Sequence, residues 1–225
     1  MIQYKAIVIG GSAGSFPVVI RILNSVPKNI NMPLIFCLHR LKHVRNGMVE
    51  ALSSISAIPV MEPNDKDPLK NGIAYIAPAN YHLFVEPSHT FSLSSEEMLN
   101  YSRPAIDLTF DTASYAYREK LIAIILSGAN SDGAHGMRMA KKRGAFTIVQ
   151  HPDDAAIKTM PLAALKASNV NLSLTGNEIV GLIQSIAIQQ NIKPIPNPSP
   201  KKENKDIKIF PFFEGPDSYR DRIGF

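Results

Sequence analysis

The chain predicts an α/β fold: a doubly wound, mostly parallel sheet with helices on both faces. Apolar runs at 4–9, 33–38, 58–62, 73–77, 121–127 and 146–150 are mostly continuous rather than alternating, which is the pattern of strands buried on both faces. Most are separated by segments with helical spacing, and strands linked by helices pair in parallel. A chain of 225 residues, 45% of them hydrophobic, is long enough to bury such a core in one domain.

In chain order, the first run ends in Gly10, Gly11 and Ser12, and Ser15-Phe-Pro-Val then opens a helix over 16–24, with Pro17 in its first turn where a missing N–H costs nothing. The remaining helices are expected at 47–56, 104–117, 132–143, 161–168 and 176–189, the last introduced by Thr175-Gly-Asn-Glu178, a capping-box spacing. A local hairpin, 81–86 against 90–93, turns at Pro87-Ser-His89. From Asn191 the composition changes: Pro194, Pro196, Pro198 and Pro200 recur at every second residue, which supports neither helix nor sheet ladders. The expected organisation is a catalytic domain over 1–190 and an extended, proline-rich and charged tail over 191–225.

Composition narrows the function. The net charge of +5 comes from 24 Lys and Arg against 19 Asp and Glu, part of it in mixed runs that suit a solvated face, so no nucleic-acid partner is expected. One cysteine, Cys37, forbids an intramolecular disulfide, and the first apolar run is too short for a signal peptide or a membrane span. The chain is expected to be cytoplasmic, without membrane insertion. The histidines and carboxylates show no compact ligand spacing, so neither a metal nor another cofactor is expected. A dinucleotide site fails twice: Gly10-Gly-Ser-Ala-Gly-Ser15 is not G-x-G-x-x-G, and no acidic residue follows before Glu50 to hold a ribose.

Three strand ends carry complementary polar groups. Ser12 lies on a glycine-flanked turn before a helix amino terminus, where a nucleophilic hydroxyl is exposed; a phosphate-cradling or structural turn is the rival reading. His39 follows the strand Leu34-Ile-Phe-Cys-Leu38, with His43, His135 and His151 as rivals. Asp132 lies in Ser127-Gly-Ala-Asn-Ser-Asp-Gly-Ala-His-Gly136 at the mouth of the next helix and is also a natural N-cap. Together they are the parts of an acyl-transfer triad, which is recognised by roles and geometry rather than chain order. Asp107 and Asp111 read as surface or structural, and Cys37 as inert core despite sharing a strand face with His39.

Six ordered motifs carry a resemblance: Ile9-Gly-Gly-Ser-Ala-Gly14, the strand ending at His39, Gly72-Ile-Ala-Tyr-Ile-Ala-Pro-Ala-Asn-Tyr-His-Leu83, Ser102-Arg-Pro-Ala-Ile-Asp107, Leu126-Ser-Gly-Ala-Asn-Ser-Asp-Gly-Ala-His-Gly136, and Gly144-Ala-Phe-Thr-Ile-Val-Gln150 with Met160-Pro161. Over about residues 4–188 they resemble the chemotaxis protein-glutamate methylesterase domain, the CheB family. The resemblance implies a doubly wound sheet and a triad of Ser12, His39 and Asp132. It also implies hydrolysis of γ-glutamyl methyl esters on chemoreceptor signalling helices, or on a related methylated protein, with release of methanol and often deamidation of receptor glutamines. The alternative is a non-catalytic module that keeps the fold to bind receptors or signalling partners; the presence of all three triad residues favours the enzyme. Departures from the family pattern fall at Ala13 and Ser15 beside the nucleophile and at Ala129, where a methionine is usual, and they are expected to alter the ester pocket rather than abolish chemistry, because backbone N–H donors do not depend on side-chain identity. No counterpart of the family's amino-terminal receiver domain is expected, and constitutive activity is expected with it.

Overall fold

A computed structural model of the chain describes residues 3–39 and 47–191. The elements run β1 (Ala6–Gly11), α1 (Phe16–Ser25), β2 (Leu34–Leu38), α2 (Met48–Ile55), β3 (Val60–Met61), β4 (Ala74–Ile76), β5 (His82–Val85), β6 (Phe91–Ser94), α3 (Ile106–Tyr117), β7 (Leu121–Ile125), α4 (Ala134–Lys142), β8 (Phe146–Gln150), α5 (Thr159–Ala167), β9 (Leu172–Leu174) and α6 (Gly176–Asn191). The expected elements are all present, most with ends shifted by one or two residues. β9 is an addition: three partly exposed residues at the sheet edge, too short and too polar to register as an apolar run.

Seven strands form one sheet in the order β3-β4-β2-β1-β7-β8-β9, with every pairing parallel. β5 and β6 form a separate antiparallel hairpin. The chain builds one side of β1 first, with β2, β3 and β4, and then the other, with β7, β8 and β9, so the winding reverses at β1. Open α/β sheets leave a crevice at such a point, outside the carboxyl ends of the strands.

Alternation along β1 divides the core. Ile7 and Ile9 face a layer built from α1, α2 and α6, with Val19, Leu23, Leu52, Ile179 and Ile183 buried there. Ala6 and Val8 face the other layer, where Ile106 and Phe110 of α3, Met137 of α4, Met160 of α5 and Phe91 of the hairpin pack. Each large apolar side chain buried in these layers contributes roughly 1.5–3 kcal/mol. Gly10 has a specific reason to be glycine: a Cβ there would lie 2.5 Å from Ile106 Cγ2, so its absence lets the start of α3 press onto the end of β1.

The register brings three loops together. Gly11 pairs with Leu38 and Gly10 with Ile125, so the chain leaves β1, β2 and β7 at one level. The His39 N–H donates to the Gly11 carbonyl at 3.1 Å and the Ser12 N–H to the Ser127 carbonyl at 2.9 Å, which extends the ladder one residue into the loops.

Candidate active site

Ser12 occupies a turn between β1 and α1. Its carbonyl accepts the Ser15 N–H at 3.1 Å and the Ser15 hydroxyl at 2.7 Å, which closes the turn, and Gly14 at φ +82° supplies a conformation that side-chain-bearing residues rarely adopt. The turn is also tied from outside: the buried Ser127 hydroxyl donates to the Ala13 carbonyl at 2.8 Å and accepts the Ile157 N–H at 2.9 Å. Phe16 and Pro17 then start α1. The Ser12 side chain is half-buried, and the N–H groups of Ala13 and Gly14 meet no acceptor among the described residues. In this conformation the Ser12 hydroxyl makes no hydrogen bond to His39. Nucleophile–base contacts are often loose in unliganded sites and close when substrate binds.

His39 stands one residue beyond β2 and is held by Asp132, with Nε2 2.7 Å from Oδ2. The Asp132 carboxylate is buried and accepts from five groups. Oδ2 takes the Ile106 N–H at 2.7 Å in addition to His39; Oδ1 takes the N–H groups of Asp107 at 3.1 Å and Gly133 at 3.0 Å and the Asn100 amide at 3.4 Å. Ile106 and Asp107 are the first residues of α3, so the carboxylate sits on the positive end of that helix. Burial pushes the Asp132 carboxyl up, but the His39 hydrogen bond and the Ile106 and Asp107 N–H groups outweigh it, and the group lies below its ordinary value.

That network assigns the imidazole's protons. An ionised carboxylate only accepts, so Nε2 carries a hydrogen, and in the neutral ring Nδ1 holds the lone pair. Nδ1 lies 3.5 Å from the Ser102 hydroxyl. This inverts the ring relative to the usual serine-protease arrangement, in which Nδ1 faces the aspartate.

Of the expected site residues, His39 and Asp132 are in direct contact, and Ser12 stands on the neighbouring strand end. Asp132 caps α3 instead of its own following helix, because α4 starts two residues later, after Gly133 at φ +91°. Of the rival histidines, His135 is exposed and bonded to Arg138 at 3.2 Å, and exposed His151 accepts the Asp153 N–H at 3.3 Å. His43 lies outside the described residues. Asp107 is buried and bound to the Gly136 N–H at 2.7 Å, while Asp111 pairs with Arg143 at 2.6 Å. Cys37 is fully buried, where desolvation pushes its thiol far up, and it accepts the Thr109 hydroxyl at 3.4 Å, so it is inert core. Sequence reasoning assigned no role to Asn100, Ser102 or Asn130, whose amide reaches Ser102 at 3.5 Å. Ser102 opens Ser102-Arg-Pro-Ala-Ile-Asp107, but nothing in that local pattern signals a contact 63 residues back along the chain. Among the described residues, no group of three His, Cys, Asp or Glu side chains could hold a metal ion.

A serine on a strand-to-helix turn, a neighbouring imidazole fixed on a buried carboxylate, and two amide N–H groups left open beside the serine make up the arrangement of an α/β serine acyl hydrolase. The chain belongs to the CheB methylesterase family, whose model matches residues 7–183. It is 40% identical over 189 residues to a putative protein-glutamate methylesterase/protein-glutamine glutaminase of Leptospira interrogans, covering 84% of this chain and 97% of that protein. A protein-glutamate methylesterase/protein-glutamine glutaminase of Clostridium acetobutylicum is 28% identical over 186 residues, 81% of this chain and 54% of that one. Among solved structures, the Thermotoga maritima CheB methylesterase catalytic domain superposes with a TM-score of 0.76 at 28% identity, covering 82% of this chain and all of that one.

Proposed function

We propose that this chain hydrolyses methyl esters on the glutamate side chains of chemoreceptor signalling helices, with Ser12 as nucleophile, His39 as general base and Asp132 as its anchor, in a catalytic domain that spans 1–190. The observation that carries this reading is the 2.7 Å bond from His39 to a carboxylate already saturated by helix N–H groups. Such a carboxylate holds the ring in one tautomer and stabilises it once protonated.

In the acylation step the Ser12 hydroxyl oxygen bonds to the ester carbonyl carbon while its proton passes to His39 Nδ1. The carbonyl oxygen becomes an oxyanion that takes the open N–H groups of Ala13 and Gly14, donors already fixed by the turn. The tetrahedral intermediate collapses, the C–OCH₃ bond breaks, and Nδ1 returns the proton to the leaving oxygen, which departs as methanol. Water then attacks the acyl-serine by the same route and frees the glutamate. A γ-carboxamide enters the same sequence with ammonia as the leaving group, which agrees with the glutaminase half of the relatives' names.

Relatives named for ester hydrolysis, and the triad residues standing at adjacent strand ends, support an enzyme over a non-catalytic binding module. No described helix is long and apolar enough to cross a membrane, consistent with action on the cytoplasmic part of a receptor. The reading is tested by incubating the full chain with methyl-labelled receptor membranes and counting volatile methanol. Release that Ser12→Ala abolishes is expected; equal release by that variant overturns the assignment.

A further inference from the structure

The turn immediately before the Ser102 motif is exposed, apolar and tethered to the catalytic pair. The Ser102 N–H donates to the Leu99 carbonyl at 2.9 Å, closing a four-residue turn with Asn100 and Tyr101 at its centre. Both central residues have left-handed backbone, φ 52° and 59°. A turn of this kind favours glycine at its second central position, and a bulky tyrosine there is disfavoured. Tyr101 gains no packing in return, for it is 99% exposed. Met98 and Leu99 beside it are 40% and 39% exposed.

Those side chains sit on a backbone held from several directions. The Arg103 guanidinium donates through Nη1 to the carbonyls of Ser95 and Glu96, and buried His82 donates through Nε2 to the Glu97 carbonyl at 2.9 Å. The Asn100 amide bridges inward to Asp107 Oδ2 at 3.0 Å and Asp132 Oδ1 at 3.4 Å, and the Ser102 hydroxyl reaches His39 Nδ1 at 3.5 Å. The residues on either side of Tyr101 therefore both touch the pair that performs the chemistry, and Tyr101 itself points to solvent beside it.

From this we infer that the Met98–Tyr101 turn is the docking element for the polypeptide whose esterified glutamate enters the site, with Tyr101 the main contact. A rigid aromatic on a pre-ordered turn offers large apolar area with little side-chain entropy to lose on binding. The occupant is a neutralised, apolar helix face rather than a carboxylate-rich one. Exposed Glu96 and Glu97 adjoin the turn, two carboxylates against the single guanidinium of Arg103, so a face whose glutamates are esterified is accepted while the hydrolysed, anionic face is repelled. The inference rests on the proposed ester-hydrolase reading and deepens it.

The test compares methanol release from a methyl-esterified receptor fragment and from a short glutamyl methyl ester. Variants are Tyr101→Gly, which removes the ring and relieves the backbone, and Tyr101→Asn, which tolerates the same backbone without the ring; Tyr115→Ser alters an exposed tyrosine on α3 as a control. The expected result is a ratio of kcat/KM, fragment to short ester, lower by about tenfold in both Tyr101 variants, carried mainly by KM, with the melting temperature of Tyr101→Gly equal or higher and the control ratio unmoved. An unchanged ratio overturns the inference, as does an equal loss on both substrates, which would place Tyr101 in the chemistry. A rise on the short ester also overturns it, since the turn would then be covered by the chain's own residues. Calorimetric titration of the esterified fragment into the Ser12→Ala chain gives a second readout: binding weakened about tenfold by Tyr101→Gly is expected, and binding equally tight with and without the ring is fatal. If the wild-type chain binds the fragment but releases methanol from neither substrate, the hydrolase reading alone fails.

Discussion

Asp107 and Asp132 close the amino end of each other's helices. Asp132, which precedes α4, accepts the first N–H groups of α3, while Asp107, on α3, accepts the Gly136 N–H in the first turn of α4 at 2.7 Å. The exchange locks the two helices together at the place where the His39 anchor must be held, and helix-end carboxylates of this kind each contribute on the order of 1 kcal/mol. The two groups are nonetheless pushed in opposite directions: Asp132 lies below the usual 3.8, while burial, with the neighbouring Asp132 charge adding to it, raises Asp107 above 3.8.

The acid stability profile follows from those directions. For Asp132 the unfolded chain binds more protons below pH 3.8, so its contribution is present above that value and is lost as pH falls further. For Asp107 the folded chain binds more protons in a window above 3.8, so stability declines there as pH rises. Unfolding free energies measured from about pH 2 to 6 should show the low-pH slope flattened in Asp132→Asn and the slope above pH 3.8 flattened in Asp107→Asn. Unchanged slopes in both variants would contradict the exchange of caps.

Asp132→Asn should also silence turnover. The amide nitrogen must take either the Oδ2 place, where it faces both the His39 Nε2–H and the Ile106 N–H, or the Oδ1 place, where it faces the N–H groups of Asp107 and Gly133, so the ring loses its fixed tautomer or α3 loses a cap. A fall in kcat of about 10³–10⁴-fold with little change in KM is expected from steady-state kinetics, as for anchors of this type in general.

How far the sequence reaches is clear from these residues. Strands such as Leu34–Leu38 and Leu121–Ile125 were legible because both faces are buried, and no polar residue interrupts them. Ser12 and His39 were legible as candidates because each directly follows such a run, and Asp132 because it lies in the polar loop after one. β9 was not, since an edge strand of three residues buries too little to impose a pattern. The caps were not, because Asp132 bonds N–H groups of residues 25 and 26 positions away, a relation that depends on how α3 lies across β1. Asn100 carries no local signal at all: its importance comes from a left-handed turn that points a common polar side chain inward between two carboxylates.

Two glycines on helices should respond oppositely to alanine. At Gly136 a Cβ would lie 2.8 Å from the Asp107 carbonyl oxygen and 2.7 Å from Phe110 Cβ, so α3 and α4 must separate. Overpacking of about 1–3 kcal/mol exceeds the gain in helix propensity of up to about 1 kcal/mol, and the shift of Asp107 carries the α3 terminus away from Asp132. Thermal melts should show Gly136→Ala less stable and its turnover reduced. At Gly181, on α6, nothing lies within 4 Å of the added atom, and alanine should stabilise by roughly 0.5–1 kcal/mol with turnover intact.

Ser12 and His39 should behave as one unit. Ser12→Ala removes a half-buried hydroxyl that makes no side-chain hydrogen bond, so the fold should keep its melting temperature while methanol release falls by several orders of magnitude. His39→Gln keeps a polar group of similar reach beside Asp132 but cannot accept and return the proton, so the loss should match. Members of one catalytic unit are strongly non-additive: once the nucleophile is gone the base has nothing to activate, and the double variant should be hardly slower than either single. His135→Gln and His151→Gln, which alter exposed rings bonded to Arg138 and Asp153, should retain turnover within about threefold. Losses that multiply in the double variant would mean that His39 acts on a step that does not involve Ser12, and would separate the imidazole–carboxylate pair from the serine to which the strand register brings it near.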